Sequence, residues 1–230
     1  RHLPPRRGQR PPRVACPGCG LGRLPFELAA MGYEAQGNEF SYHMLLGSHF
    51  VLNCCLEPES HEIFPFVLCS ANRRGASDHL RSVRIPDVCP RTALPPNARL
   101  SMAAGEFVEI YGDQPGEWDA VASAFFLDTA KNIFLYIRVI ASMLRPGGLF
   151  INMGPLLFHY SHMPSQVSVE LSWEELRPFI CRYFDFVEEE VRDATYTTNP
   201  GSLHAVKYRC KYFVAKRNTE PVTGKSNPVY

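Results

Sequence analysis

The chain has 230 residues, 45% of them hydrophobic and 20% charged, and its 24 Lys and Arg against 23 Asp and Glu leave a formal net charge of +1. That length suits one α/β domain with a sizeable core rather than two domains and a linker, and the composition excludes a disordered, collagen-like or coiled-coil chain. The near-zero charge removes the electrostatic drive of a dedicated nucleic-acid binder and no apolar run reaches the roughly 18 residues that span a bilayer, so a soluble protein with no nucleic-acid and no membrane partner is expected.

Arg1 to Arg13 contains five arginines and four prolines, a composition that resists a packed core, and reads as a tail or a truncated N-terminal region. Asn218 to Tyr230 is polar and reads as a second tail, which leaves residues 14–217 as the folded domain. Val14-Ala15-Cys16 reads as a strand, Gly18 to Gly22 as a glycine turn, and Arg23 to Met31 as a helix with Leu24, Leu28 and Met31 at helical spacing. Tyr33 to Glu39 reads as a second strand and Ser41 to Asn53 as a helix opened by a capping serine. The polar stretch from Glu57 to Asn97 has no regular period and is expected to be an insertion.

Order returns with Arg99 to Ala103 as a strand, Gly105 to Tyr111 as a short helix, Trp118 to Phe126 as an apolar strand and Lys131 to Leu144 as a helix. Arg145-Pro146-Gly147-Gly148 stops that helix before the strand Leu149 to Met153, and Ser172-Trp173-Glu174-Glu175 is a capping box opening a helix to about Arg182. Phe184 to Val191 and Ala205 to Ala215 close the domain as an antiparallel hairpin, with Tyr208, Cys210 and Tyr212 on the face opposite Lys207, Arg209 and Lys211. Alternating short apolar runs and helical segments specify an α/β fold with a mostly parallel sheet.

The eight cysteines lack the dense spacing of a secreted disulfide scaffold, and reduced thiols in a cytoplasmic or nuclear protein fit better. Cys16-Pro17-Gly18-Cys19 is a CxxC with no second spaced pair, so no metal site is expected. Gly18, Gly20 and Gly22 occupy the first strand-to-helix turn, where an α/β sheet holds a nucleotide. Their spacing is GxGxG, with Arg23 breaking the GxGxxG of a dinucleotide site, and a turn made for packing alone is equally compatible with it. Glu39 ends the second strand 21 residues beyond Gly18, where an acid accepts ribose hydroxyls. Gly105-Glu106-Phe107 follows the third strand, where an acid can take the adenine amino group and an aromatic wall can stack on the ring.

This constellation, completed by Leu144-Arg145-Pro146-Gly147-Gly148, resembles the Rossmann-like, class I methyltransferases that use S-adenosyl-L-methionine. Gly32 to Ser41, Phe50 to Asn53, Asn72-Arg73-Arg74, Ile85 to Val88, Phe125 to Ala130 and Gly154 to His159 narrow the likeness to the carnosine N-methyltransferase family. The resemblance implies a seven-stranded sheet with an insertion, and methylation of the histidine imidazole of carnosine, giving anserine, or of other His-containing peptides. It also implies that Gly18, Glu39, Glu106 and Phe107 hold the cofactor, Gly20 and Gly22 completing the turn, with Ala124 near its methionine end. Asp128, His159 and Tyr208 match the family's substrate positions, with Tyr196 lining the same pocket. Without the family, Asp128 is as well read as a buried helix cap, His159 as a loop histidine and Tyr208 as a strand aromatic. Cys19 and Glu106 depart from the small residue and the Asp usual in the family, and the helical segment that family members carry before the first strand has only an Arg/Pro-rich stretch in its place. Competing readings are a methyltransferase for histidine within proteins and a non-catalytic cofactor-binding module. A homodimer is left open.

Overall fold

Residues 2–4 and 10–223 are described by the computed structural model. The remainder of the two stretches read as tails, residues 1, 5–9 and 224–230, lies outside the described residues. Strand β1 (Arg13–Pro17) alternates its side chains as the pleat requires. Val14 and Cys16 face one apolar cluster and Ala15 faces the other.

From β1 the chain runs through α1 (Arg23–Ala30), β2 (Glu34–Glu39) and α2 (Tyr42–His49), and α2 continues as a π-helical turn over Phe50–Cys54. The insertion holds β3 (His61–Ile63), β4 (Val83–Ile85) and α3 (Pro90–Ala93). Next come β5 (Arg99–Ala104), α4 (Phe107–Tyr111), β6 (Trp118–Ala124), α5 (Ile133–Met143) and β7 (Leu144–Gly154). Helix α6 (Trp173–Cys181), β8 (Phe184–Ala194) and β9 (Tyr208–Arg217) complete it. The main sheet has seven strands in the order β5-β2-β1-β6-β7-β9-β8. Strands β5, β2, β1, β6 and β7 are parallel, while β9 pairs antiparallel with both β7 and β8. The expected α/β architecture with a terminal antiparallel pair is therefore the observed one.

Helices α4, α5 and α6 cover one face, where Ile133, Ile137, Ile140, Leu176 and Ile180 bury against Val121, Phe150 and Phe213. Helix α1 covers part of the other, Leu24 and Leu28 packing on Val14, Ala120 and Val214. The strand order reverses direction between β1 and β6, so the carboxyl ends of the parallel strands open a crevice there.

Several boundaries differ from those read in the sequence. Helix α5 starts at Ile133 because Asn132 caps it, its side chain accepting the Leu135 amide at 3.3 Å. Ser41 holds the N-cap position of α2 without using its side chain; the nearby amides of Phe40 and Ser41 donate to Glu39 Oε1 instead, both at 2.9 Å. Strand β7 begins at Leu144, which pairs with Trp118, so the Pro-Gly-Gly run lies inside the strand assignment. Strand β8 extends to Ala194 because β9 pairs with it to Tyr208. The capping box at Ser172 and Glu175 is formed as expected.

Candidate functional site

The crevice is built by main-chain bonds between neighbouring strand ends. Cys19 N donates to Asn38 O (3.1 Å), Gly105 N to Glu39 O (3.0 Å), and Asn38 Nδ2 to the carbonyls of Ala103 (3.2 Å) and Gly105 (3.0 Å). The turn after β1 is left-handed at Gly18 (φ 61°) and Gly20 (φ 56°), a conformation that costs an L-residue roughly 1–2 kcal/mol. A Cβ on Gly18 would meet Phe126 Cδ2 at 2.6 Å, whereas one on Gly20 would meet nothing within 4 Å, so the floor of the turn is tight and its rim is open. Gly22 holds the N-cap of α1.

Glu39 stands at the end of β2 and is already oriented: Oε2 accepts from Gly20 N at 2.9 Å and Oε1 from the amides of Phe40 and Ser41. Glu106 occupies the N-cap of α4, where Oε2 accepts from Val108 N (2.6 Å) and Glu109 N (3.1 Å). Its Oε1 accepts from Tyr136 OH at 3.4 Å. The Phe107 ring is 2% exposed and packs among Tyr111, Phe126 and Tyr136, so it belongs to the core and no stacking wall is offered by it. The Phe107 amide, in the first turn of α4, is not taken by the Glu106 side-chain cap. Ala124 is exposed at the end of β6. Gly18, Gly20, Gly22, Glu39, Glu106 and Ala124 thus share one sheet edge.

The CxxC is not an open thiol pair. Cys16 is fully buried, which pushes its thiol up, and Cys19 is pushed up to about 12 by burial first and by Glu39 second, so both stay protonated at neutral pH. Among the described residues no cluster of three or more His, Cys, Asp or Glu stands ready for a metal, and no helix is long and apolar enough to cross a membrane.

Beyond Ala124 the chain makes a sharp corner. Phe125 is left-handed (φ 51°) and bonds back through its amide to Met153 O at 2.8 Å. A 3₁₀ turn over Leu127–Thr129 then buries Asp128, which is 2% exposed. Asp128 Oδ2 accepts from Leu157 N at 2.8 Å and its carbonyl from His159 N at 3.0 Å, fixing the 155–159 loop to the end of β6. Asp128 also lies close enough to the buried Cys210 of β9 to help burial raise that thiol. The His159 side chain is exposed and meets Asp128 through the main chain.

Tyr196 and Tyr208 come together around Phe125, with ring centroids 5.0 Å and 5.9 Å from it. They line a cavity of about 580 Å³ between the β8–β9 connection and the insertion, closed on its far side by Asn72, Arg73 and His79. Asp128 and His159 do not line it. Phe125, which does not itself line the cavity, was not singled out from the sequence, and nothing in its residue type marks it; only the left-handed corner after β6 brings it against the two tyrosines. The insertion is tied across the cavity by Leu203 N to Asn72 O (2.8 Å), an antiparallel bridge of Arg73 with Ser202, and Arg81 Nη2 to Asn199 Oδ1 (2.7 Å). Asp78 accepts from the main-chain amides of Arg74 (2.7 Å) and Gly75 (2.8 Å).

Comparisons with known proteins bear on the fold and on the family. The structure is similar to a SAM-dependent methyltransferase from Methanosarcina mazei, with a TM-score of 0.58 at 13% identity over 91% of this chain and 94% of that one. It is also similar to TehB from Haemophilus influenzae, with a TM-score of 0.55 at 14% identity over 90% and 58%. At these identities the likeness is one of fold. In sequence, carnosine N-methyltransferase of Rattus norvegicus is 42% identical over 206 residues, 89% of this chain and 51% of the relative. Its namesake from Schizosaccharomyces pombe is 38% identical over 216 residues, 89% and 58%, so the chain spans about half the length of the relatives it matches. The profile of the carnosine N-methyltransferase family matches residues 1–219, which cover the sheet, the insertion and the crevice alike. The chain belongs to the carnosine N-methyltransferase family.

Proposed function

We propose that the chain carries the catalytic domain of an enzyme that transfers a methyl group from S-adenosyl-L-methionine to the imidazole of histidine in carnosine, giving anserine, and in related His-containing peptides. The observation that carries this reading is the placement of a buried carboxylate, Asp128, one turn beyond a sheet edge that already holds an oriented acid and an open glycine rim. The donor set fits an adenosyl cofactor. Gly18, Gly20 and Gly22 would carry its methionine portion past the turn, Glu39 its ribose hydroxyls, Glu106 and the Phe107 amide its adenine, and Ala124 would border its methionine end. Glu39 keeps acceptor capacity for this, since a carboxylate has about four lone-pair sites and three amides use three of them.

When bound, the cofactor supplies a methyl group on a positively charged sulfur, which leaves as a neutral thioether. The protein's part is alignment. Asp128 accepts a hydrogen bond from the substrate N–H, which holds the imidazole in the tautomer whose free nitrogen faces the methyl group. As that nitrogen forms its new bond to carbon the ring becomes a methylimidazolium, which the Asp128 carboxylate stabilises until the N–H proton leaves for solvent. Tyr208 and His159 hold the rest of the dipeptide, with Phe125 and Tyr196 beside the Tyr208 ring. The test is methyl transfer from labelled S-adenosyl-L-methionine to carnosine by this chain, with mass spectrometry locating the methyl group. Label on the imidazole is the expected result; cofactor binding without transfer to carnosine or to Gly-His would refute the substrate assignment.

A further inference from the structure

The cavity beyond Tyr208 ends in the wrong chemistry for an apolar substrate and the right chemistry for an anion. Arg73 in the insertion spends Nε on Ser70 O (3.1 Å) and Nη1 on Ala76 O (3.1 Å), and Nη1 also contacts His79 Nδ1 at 2.8 Å. A guanidinium has only donors, so His79 Nδ1 accepts and the ring's proton sits on Nε2. Those bonds hold the guanidinium rigid and leave Nη2 with no protein acceptor among the described residues. The nearest acid on the same loop, Asp78, already accepts from two main-chain amides, so it is not the partner of Arg73. Both Arg73 and His79 line the cavity whose other side is Tyr196 and Tyr208. Main-chain pairing of Arg73 with Ser202 holds the two sides at a fixed separation.

Resting on the reading of the site as one for histidine peptides, we propose that Arg73 is a specificity residue that receives the free carboxylate of a peptide whose histidine is C-terminal. In such a peptide the carboxylate is only a few bonds from the imidazole. A ring held at Asp128, beside Phe125 and Tyr208, therefore leaves its carboxylate on the side of the cavity that Tyr208 shares with Arg73, where a cation on a rigid arm costs little further ordering. A planar guanidinium suits a carboxylate better than an ammonium does. An amidated terminus or a continuing chain removes the charge, so such peptides are bound less tightly.

Calorimetric binding of carnosine and of its C-terminal amide, in the presence of S-adenosylhomocysteine, tests this on the whole chain. Wild type is expected to bind the acid at least tenfold more tightly than the amide. Arg73→Ala removes that preference by weakening the acid alone, and Arg73→Lys keeps part of it. The amide serves as the control for folding and loop position, because its affinity is expected to be the same in all three proteins. Equal binding of acid and amide by the wild type, a preference that survives Arg73→Ala, or an Arg73→Ala protein that loses both ligands would each overturn the proposal. If wild type binds and methylates both peptides equally, Arg73 alone is refuted; if it binds neither, the reading of the substrate falls with it.

Discussion

Five of the seven residues of β6 are buried, whereas in the 41 residues from 57 to 97 only Pro86, Cys89 and Pro90 are. The sheet is held by apolar area and by paired main chain, and its edge positions Glu39, Glu106 and Asp128 as a by-product of strand order. The insertion carries Arg73, and is held mostly by polar ties to its neighbours: Arg23 to Asp87, Arg81 to Asn199, Asn72 to Leu203. Folding free energy is concentrated in the first region, while the second is free to vary in sequence as long as a few ties persist.

Core truncation gives the largest contrast. Ile137→Ala, in the fully buried face of α5, is expected to cost roughly 2–5 kcal/mol in a denaturant melt, while Leu68→Ala in the insertion, 94% exposed, stays within about 0.5 kcal/mol. Equal losses would mean the insertion shares the core's cooperativity. The glycine turn sharpens the same contrast inside the site: Gly18→Ala drives a methyl into Phe126, Gly20→Ala adds one to open space. The first is expected to lose both stability and cofactor affinity, the second to cost no more than about 1–2 kcal/mol for the left-handed backbone; isothermal titration with S-adenosylhomocysteine and a thermal melt separate them.

Asp128→Ala is expected to lower turnover more than tenfold with cofactor binding nearly intact, and unchanged turnover would remove Asp128 from the mechanism. The smallest effect belongs to the Arg23–Asp87 tie at 2.7 Å, whose side chains are 56% and 70% exposed and which is worth less than about 1 kcal/mol. Its Arg23 hydrogen bond holds the Asp87 carboxyl below the usual carboxylate range. The folded-state pKa is thus the lower one, so this contribution is present above the ordinary Asp value of about 4 and is lost as pH falls below it. Asp87→Asn should therefore differ from wild type at pH 7 and 5 alike and converge with it below about pH 4, the difference shrinking in high salt.

The same division governs what the sequence discloses. Strand and helix order, the glycine turn, the Ser172 capping box and the acids at the ends of β2 and β5 are legible because each is set by local residue types: apolar period, φ > 0 tolerance, a cap. The family motifs brought in Asp128 and Tyr208. Illegible were the three-residue strands β3 and β4, too short to show a period, and the extension of β8 from Arg192 to Ala194, where only the partner strand holds polar residues in line. The Phe107 ring reads as a wall from its neighbours in sequence and is instead claimed by Tyr111, Phe126 and Tyr136, contacts set by tertiary packing. Phe125 likewise needs the corner after β6 to be seen.

The last strand of the sheet in sequence is not last in space. Strand β9 lies between β7 and β8, bonded to both, and Arg217 at its end is buried with Nε on Ala141 O and Nη2 on Glu220 O. During synthesis β8 therefore emerges with no neighbour to join, and β7 keeps an unpaired edge until Tyr208 to Arg217 has left the ribosome. Those ten residues close the domain, so a polypeptide halted before them presents two open strand edges to the cell, and the time taken to translate the final stretch is a window for mispairing.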